Sequence, residues 1–224
     1  PLTELMTIND WMIRRNAVAA LGAAADANSH AEVLKALSDL DGEVRCTAAA
    51  ALARIGDDGV EEHLLPLLQD EMETVRAQAA IILGYIGSQA SGTHLATALA
   101  DKTVFVRRAA AAALGRLRIA AAVGNLIDCL DDTSWEVRKA AARALGDLGT
   151  IQAIEPLTEI LEAADPAMRR HTLDALLLLC THCEDKEGLE AVAKALWWRL
   201  TDERTIAIEA FHALETVAGL MSRH

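Results

Sequence analysis

An arginine recurs at an interval of 31 residues six times over, as Arg14, Arg45, Arg76, Arg107, Arg138 and Arg169. A single compact core has no use for a fixed interval of that length, whereas a supersecondary unit copied along the chain and stacked on its neighbours produces one. The rest of the unit keeps step with the arginine. The residue before it is Ile13, Val44, Val75, Val106, Val137 or Met168, and the seventh after it is Leu21, Leu52, Leu83, Leu114, Leu145 or Leu176. These two columns share a helical face and are expected in the core. Between them, at +3, stand Ala17, Ala48, Ala79, Ala110 and Ala141, small enough for helices to approach closely, with Thr172 breaking the column.

A second apolar pattern precedes each arginine: Val33 with Leu37, Leu64 with Leu68, Leu95 with Leu99, Leu126 with Leu130, and Leu157 with Leu161. Its i, i+4 spacing reads as a first helix, so each unit is a pair of antiparallel helices. Between the two stand Asp39, Asp70, Asp101 and Asp132, six before the arginine, and Asp41, Thr103, Ser134 and Asp165, four before it. These oxygens suit N-caps of the second helix, and arginine with aspartate suits a ladder of charged hydrogen bonds across the inter-helix turns. Glycines at +8 or +11 (Gly56, Gly84, Gly87, Gly115, Gly146, Gly149) are expected to release the chain at the end of the second helix.

The expected fold is therefore all-α: a right-handed α-solenoid, or superhelix, of about six to seven antiparallel helix pairs forming one body over residues 1–224. Residues 1–25 read as a truncated first repeat, 26–180 as regular repeats, and 181–224 as an irregular C-terminal repeat. There the next core residue, Ile206, comes 38 residues after Met168 instead of 31, leaving Ala207 where an arginine would stand. Residues Thr181 to Gly188 form the insertion, ahead of a helix carrying Trp197 and Trp198.

Composition narrows the function. A net charge of −12 opposes broad affinity for nucleic acid or an anionic membrane. Aromatic residues make up only 3%, which leaves little ring surface for stacking a large ligand. There is no long uninterrupted apolar run and no basic, then apolar, leader. Four cysteines are too few for a disulfide scaffold, which suits a reducing cytoplasm.

The run from Ser134 to Gly146, preceded by Asp132 and carrying Val137-Arg138, Ala141 and Leu145-Gly146, resembles the HEAT-like repeat of the phycobilin lyases of cyanobacteria and red algae. The likeness extends over nearly the whole chain. Proteins similar in this way include bilin lyases, phycobilisome-degradation factors, deoxyhypusine hydroxylases, DNA glycosylases and plain adaptors, so the resemblance implies a fold far more than a function.

In repeats of this kind the second helices line the concave side, which puts positions +1, +5 and +9 in the groove. They are Arg15, Cys46, Ala77, Arg108, Lys139 and Arg170 at +1; Ala19, Ala50, Ile81, Ala112, Arg143 and Asp174 at +5; and Ala23, Arg54, Tyr85, Arg116, Asp147 and Leu178 at +9. Ile208, His212 and Thr216 continue them into the seventh repeat. Seven cations face two acids in an acidic chain. The leading reading is a non-catalytic scaffold or adaptor. Its basic groove, with Arg54, Arg108, Arg116, Lys139, Arg143 and Arg170 for charge and Ile81 and Tyr85 for apolar area, binds an acidic protein surface, without cofactor, nucleic acid or membrane.

Other chemistries are weighed against it. A bilin lyase or bilin-protein chaperone, or another phycobilisome-associated factor, would meet the two propionates of its bilin with Arg108, Lys139, Arg143 or Arg170, and Cys46 could carry a transient thioether. A DNA glycosylase would use Asp147 or Asp174 as its acid, but only Tyr85 supplies an aromatic ring on the stripe. The His-Glu dipeptides of deoxyhypusine hydroxylase are absent, as are phosphate-binding glycine loops and nucleophile elbows. Cys180, His182 and Cys183, with His171 nearby, offer a zinc or redox site, but four ligands are required and no second close pair exists, so helix-end packing is the simpler reading.

Overall fold

The computed structural model describes residues 2–24, 27–56, 59–163, 166–182, 186–199 and 213–219. Among these, all regular structure is helical. The second helices are α2 (Trp11–Ala24), α4 (Gly42–Ile55), α6 (Glu73–Ile86), α8 (Val104–Arg116), α10 (Trp135–Leu148) and α12 (Pro166–His182). Each follows a shorter first helix: α1 (Leu2–Leu5), α3 (Ala27–Ala36), α5 (Val60–Leu64), α7 (Gly92–Ala98), α9 (Val123–Asp128) and α11 (Ile154–Ala163). Four of these first helices run into or out of single 3-10 turns. The chain closes with α13 (Lys186–Arg199) and a helical stretch at 213–219. No described helix is long and apolar enough to cross a membrane. Asp165, Cys183, Ile206, Ala207, Ile208 and His212 lie outside the described residues.

The chain divides into two compact units, Pro1–Ala113 and Leu114–His224. In the first, α2 packs on α4 and α4 on α6, while α3 covers α4; in the second, α10 packs on α12 and α11 covers α12. This is α-solenoid packing, in which each helix pair buries its apolar face on the next.

The apolar columns form the cores. Leucines at +7 are buried in all six repeats, as are both residues of each first-helix pair and every alanine at +3. Each fully buried leucine contributes about 2 kcal/mol. Thr172 fits the alanine column because its hydroxyl donates to Met168 O, 2.9 Å away on the preceding turn. One column departs from expectation: Val44, Val75, Val106, Val137 and Met168 are buried, but Ile13 is 37% exposed. Its covering helix, α1, has only four residues and cannot span it.

The glycines split into two classes. At +11, Gly56 and Gly149 take left-handed conformations (φ 70° and 64°) as C-caps, the expected role, while Gly87 ends α6 with extended backbone (φ −69°). At +8 they serve another purpose. A Cβ on Gly146 would lie 2.6 Å from Ala175 O, and one on Gly115 would lie 2.7 Å from Ala144 Cα. These glycines let adjacent second helices touch backbone to backbone and do not release the chain.

The N-cap expectation also needs revision. Asp41 does cap α4, accepting from Glu43 N at 2.9 Å. Met72 occupies the equivalent place before α6, and the Ser134 hydroxyl turns to Glu136. What recurs is the aspartate two residues earlier. Asp39, Asp70, Asp101 and Asp132 each accept through Oδ1 from the amide of residue 41, 72, 103 or 134 at 2.8–2.9 Å, which fixes the inter-helix turn.

The second oxygen of these carboxylates serves the ladder. Arg14 Nε donates to Asp39 Oδ2, Arg45 Nε to Asp70 Oδ2 and Arg76 Nε to Asp101 Oδ2, all at 2.7 Å, with Nη2 on the companion oxygen. Each arginine thus grips the aspartate of the following repeat. Its Nη1 meanwhile donates to a carbonyl of its own turn, as Arg107 does to Asp101 O and Arg138 to Asp132 O. Arg14 holds the Asp39 carboxyl below its usual range despite burial. At Asp70 and Asp101 burial is the larger single influence and opposes the charge. The arginine and the turn amides overcome it, leaving Asp101 at about 2.

Candidate functional site

With the cores filled by columns −1, +3 and +7, the second helices present +1, +5 and +9 to solvent. No described residue at these eighteen positions is buried. In the first unit, α4 contributes Arg54, α6 contributes Ile81 and Tyr85, and α8 contributes Arg108. Tyr85 is 69% exposed and Ile81 37%, standing above the smaller Ala19, Ala23, Ala50, Ala77 and Ala112. The Arg54 guanidinium reaches back to within 3.4 Å of the Cβ position of Gly22. In the second unit, Arg116 ends α8, Lys139 and Arg143 lie on α10, and Arg170 and Asp174 lie on α12.

Aromatic residues accompany these cations in a way the sequence reading overlooked. Arg15 lies over Trp11 at 5.6 Å from the ring centre, Arg108 over Phe105 at 5.7 Å and Lys139 over Trp135 at 5.7 Å. Each ring sits three or four residues before its cation, one turn back on the same face. Phe105 and Trp135 are 60% and 52% exposed. Tyr85 is therefore not the sole ring beside the stripe. The signal was an aromatic at −3 or −2 preceding a cation at +1, and it was visible in the spacing.

One group on α12 feels the cations nearby. His171, half-buried on α12, has its proton affinity lowered first by burial and then by Lys139 and Arg170, with Asp174 acting the other way. Cys46 is different. Burial, then Glu43, pushes its thiol up, against a hydrogen bond from Thr74, so the thiolate needed for a thioether is disfavoured.

Of the remaining candidates, Cys183 lies outside the described residues. Cys180 is buried, and His182 packs on the C-cap of α10, its Nδ1 3.4 Å from Gly146 O and its Cβ 2.7 Å from the Cβ position of Gly149. Among the described residues no cluster of three His, Cys, Asp or Glu could hold a metal ion. Asp174 is exposed on α12. Asp147, on α10, places Oδ2 3.3 Å from the Cβ position of Gly115.

Comparison with known proteins agrees with this architecture. The family of HEAT repeats matches residues 31–115 and 98–177. No curated protein matches the chain. Among solved structures, an engineered protein is 25% identical over 97% of this chain and 67% of its own, with a TM-score of 0.62. The archaeal HEAT-like repeats protein from Thermococcus onnurineus NA1 is 15% identical, covering 98% of this chain and 97% of its own at a TM-score of 0.61. The complex of CpcE and CpcF of phycocyanin lyase from Nostoc sp. PCC7120 is 21% identical, covering 98% and 93% at a TM-score of 0.57. The last two likenesses establish shared fold. With the family matched from residue 31 to 177, over well more than half of its length, the chain belongs to the HEAT-repeat proteins.

Proposed function

We propose that this protein is a non-catalytic binding scaffold whose second-helix faces take an acidic protein surface. The carrying observation is the contrast between columns: the repeating +3 and +7 columns are buried throughout, while the columns at +1, +5 and +9 vary, stay accessible and carry seven cations against two acids in a chain of net charge −12. Arg54 and Arg108, flanking Ile81 and Tyr85 in the first unit, and Arg116, Lys139, Arg143 and Arg170 in the second, supply the attraction; the exposed apolar side chains supply contact area. Reversing Arg108, Lys139 and Arg170 together to Glu tests the reading. Capture of an acidic partner from source extract should be lost, with helicity and melting unchanged, and capture that survives the triple change removes the surface from consideration.

A second reading keeps the cations and changes the occupant to an open-chain tetrapyrrole, whose propionates suit Lys139, Arg143 and Arg170. The likeness to the CpcE and CpcF complex supports it at the level of fold. The raised thiol of Cys46 counts against a covalent adduct there. Co-expression with a bilin-producing pathway discriminates: a coloured product favours this reading, and a colourless one removes it.

A further inference from the structure

In the second unit Trp135, Lys139 and Arg143 follow one another at four-residue steps along α10, one above the next on a single face. Lys139 lies over the Trp135 ring, which restrains the ammonium and leaves half of the indole open to a ligand. Beside this row, on the directly packed α12, stand Arg170 and His171. Lys139 from α10 and Arg170 and Asp174 from α12 are the charged groups that act on the imidazole. No described side chain of α11 or α13, the other helices packed on α12, adds to them. The two cations outweigh the one acid nearby, so a half-buried base sits in a positive field inside a strongly acidic protein.

We propose that Trp135, Lys139, Arg143, Arg170 and His171 form one recognition surface, that its occupant is a carboxylate-rich segment of a partner protein, and that seating this segment draws a proton onto His171. The inference rests on the scaffold reading and deepens it. Charge complementarity selects the occupant: a short acidic segment engages the local cations, whereas an extended nucleic-acid backbone would also meet the acidic remainder of the chain. Burial first, and then the field of Lys139 and Arg170, lower the proton affinity of His171; carboxylates arriving between the two cations offset the field, so seating the segment raises that affinity and couples binding to proton uptake. Binding then tightens as pH falls, by at most about tenfold per unit for one proton. Trp135 acts as a positioning residue, through Lys139.

The experiment titrates rhodamine-labelled hexaglutamate with the protein by anisotropy in low salt at pH 7.5 and 6.0, with hexaglutamine as the uncharged control. Both pH values lie well above the usual glutamate pKa of about 4.3, so the probe keeps its charge. Hexaglutamate should bind about three- to tenfold more tightly at pH 6.0. The dependence should flatten in His171→Gln, and binding should disappear in Lys139→Glu/Arg170→Glu. In the wild type, the His171 ring resonance should titrate at higher pH when the probe is saturating. A pH dependence unchanged in His171→Gln overturns the proton coupling. Undiminished binding by Lys139→Glu/Arg170→Glu overturns this placement while leaving a scaffold that acts through the first unit. Failure of hexaglutamate to bind, in a protein that still captures an acidic partner in a charge-dependent way, overturns the chemistry of the occupant but not the scaffold.

Discussion

Arg45 and Asp70 meet side by side, Nε on Oδ2 and Nη2 on Oδ1, both at 2.7 Å, although 25 residues and a helix pair separate them. The remaining guanidinium nitrogen donates to Asp39 O at 2.7 Å, so one side chain ties its own turn to the next repeat's. The two side chains are 8% and 9% exposed, and little solvent competes for them.

Removing one partner leaves the other charged and nearly dry, so Arg45→Ala and Asp70→Ala should each destabilise by about 3 kcal/mol. Chemical denaturation checks this. The double variant should cost less than the sum of the two, since the orphaned charge disappears with its partner.

Acid should unfold the protein through the same pairs. A carboxyl held low in the folded state binds fewer protons than it does unfolded, so its contribution is fully present above about pH 4 and is lost as pH falls toward the folded value. For Asp101 that window runs from about 4 down to about 2. Acid titration followed by circular dichroism should show unfolding there, and Asp101→Asn should be less stable at neutral pH with a shallower acid limb.

Arg118 occupies the +11 position that glycine fills in other repeats, and among the described residues it is the non-glycine residue with positive φ, 50°. Its amide bonds Gly115 O at 3.0 Å and the Ile119 amide bonds Leu114 O at 3.1 Å, a Schellman closure of α8. Arg118→Gly should relieve the strain and raise stability by about 0.5–1 kcal/mol, the gain remaining after added freedom in the unfolded chain is subtracted. A melting curve reads it.

Two glycine-to-alanine changes should move in opposite directions. In Gly146→Ala the new methyl strikes the backbone of Ala175 at 2.6 Å, so about 1–3 kcal/mol should be lost. In Gly124→Ala, on α9, the methyl meets nothing within 4 Å, and about 0.5–1 kcal/mol should be gained from helix propensity. Equal effects at the two sites would refute the close-approach role given to position +8.

Periodicity made the fold readable because burial follows the unit: Leu52, Leu83 and Leu114, one repeat apart, are all fully buried. Features belonging to a single repeat left no such mark. Glu61 accepts from Ser88 and Ser91 and ties α5 to the turn before α7, yet nothing in the sequence distinguishes it from a solvated acid. Ile13 follows the core column and is nonetheless exposed, because its cover depends on the length of α1 and not on the residue itself. The exposed cations were found by register. Their ring partners were missed because Trp11, Phe105 and Trp135 occupy two adjacent positions and repeat imperfectly. Glycine at +8 was misread because a tight contact and a chain reversal call for the same residue.

The ladder from Arg14 to Asp101 has a direction, with donor forward and acceptor behind, so its three joints are head-to-tail. A unit excised or duplicated in a 31-residue step would therefore present the same two ends to its new neighbours. The surface letters at +1, +5 and +9 stand outside the arginine–aspartate pairs themselves. Evolution or a designer can rewrite the message, or lengthen it, without renegotiating the spine that carries it.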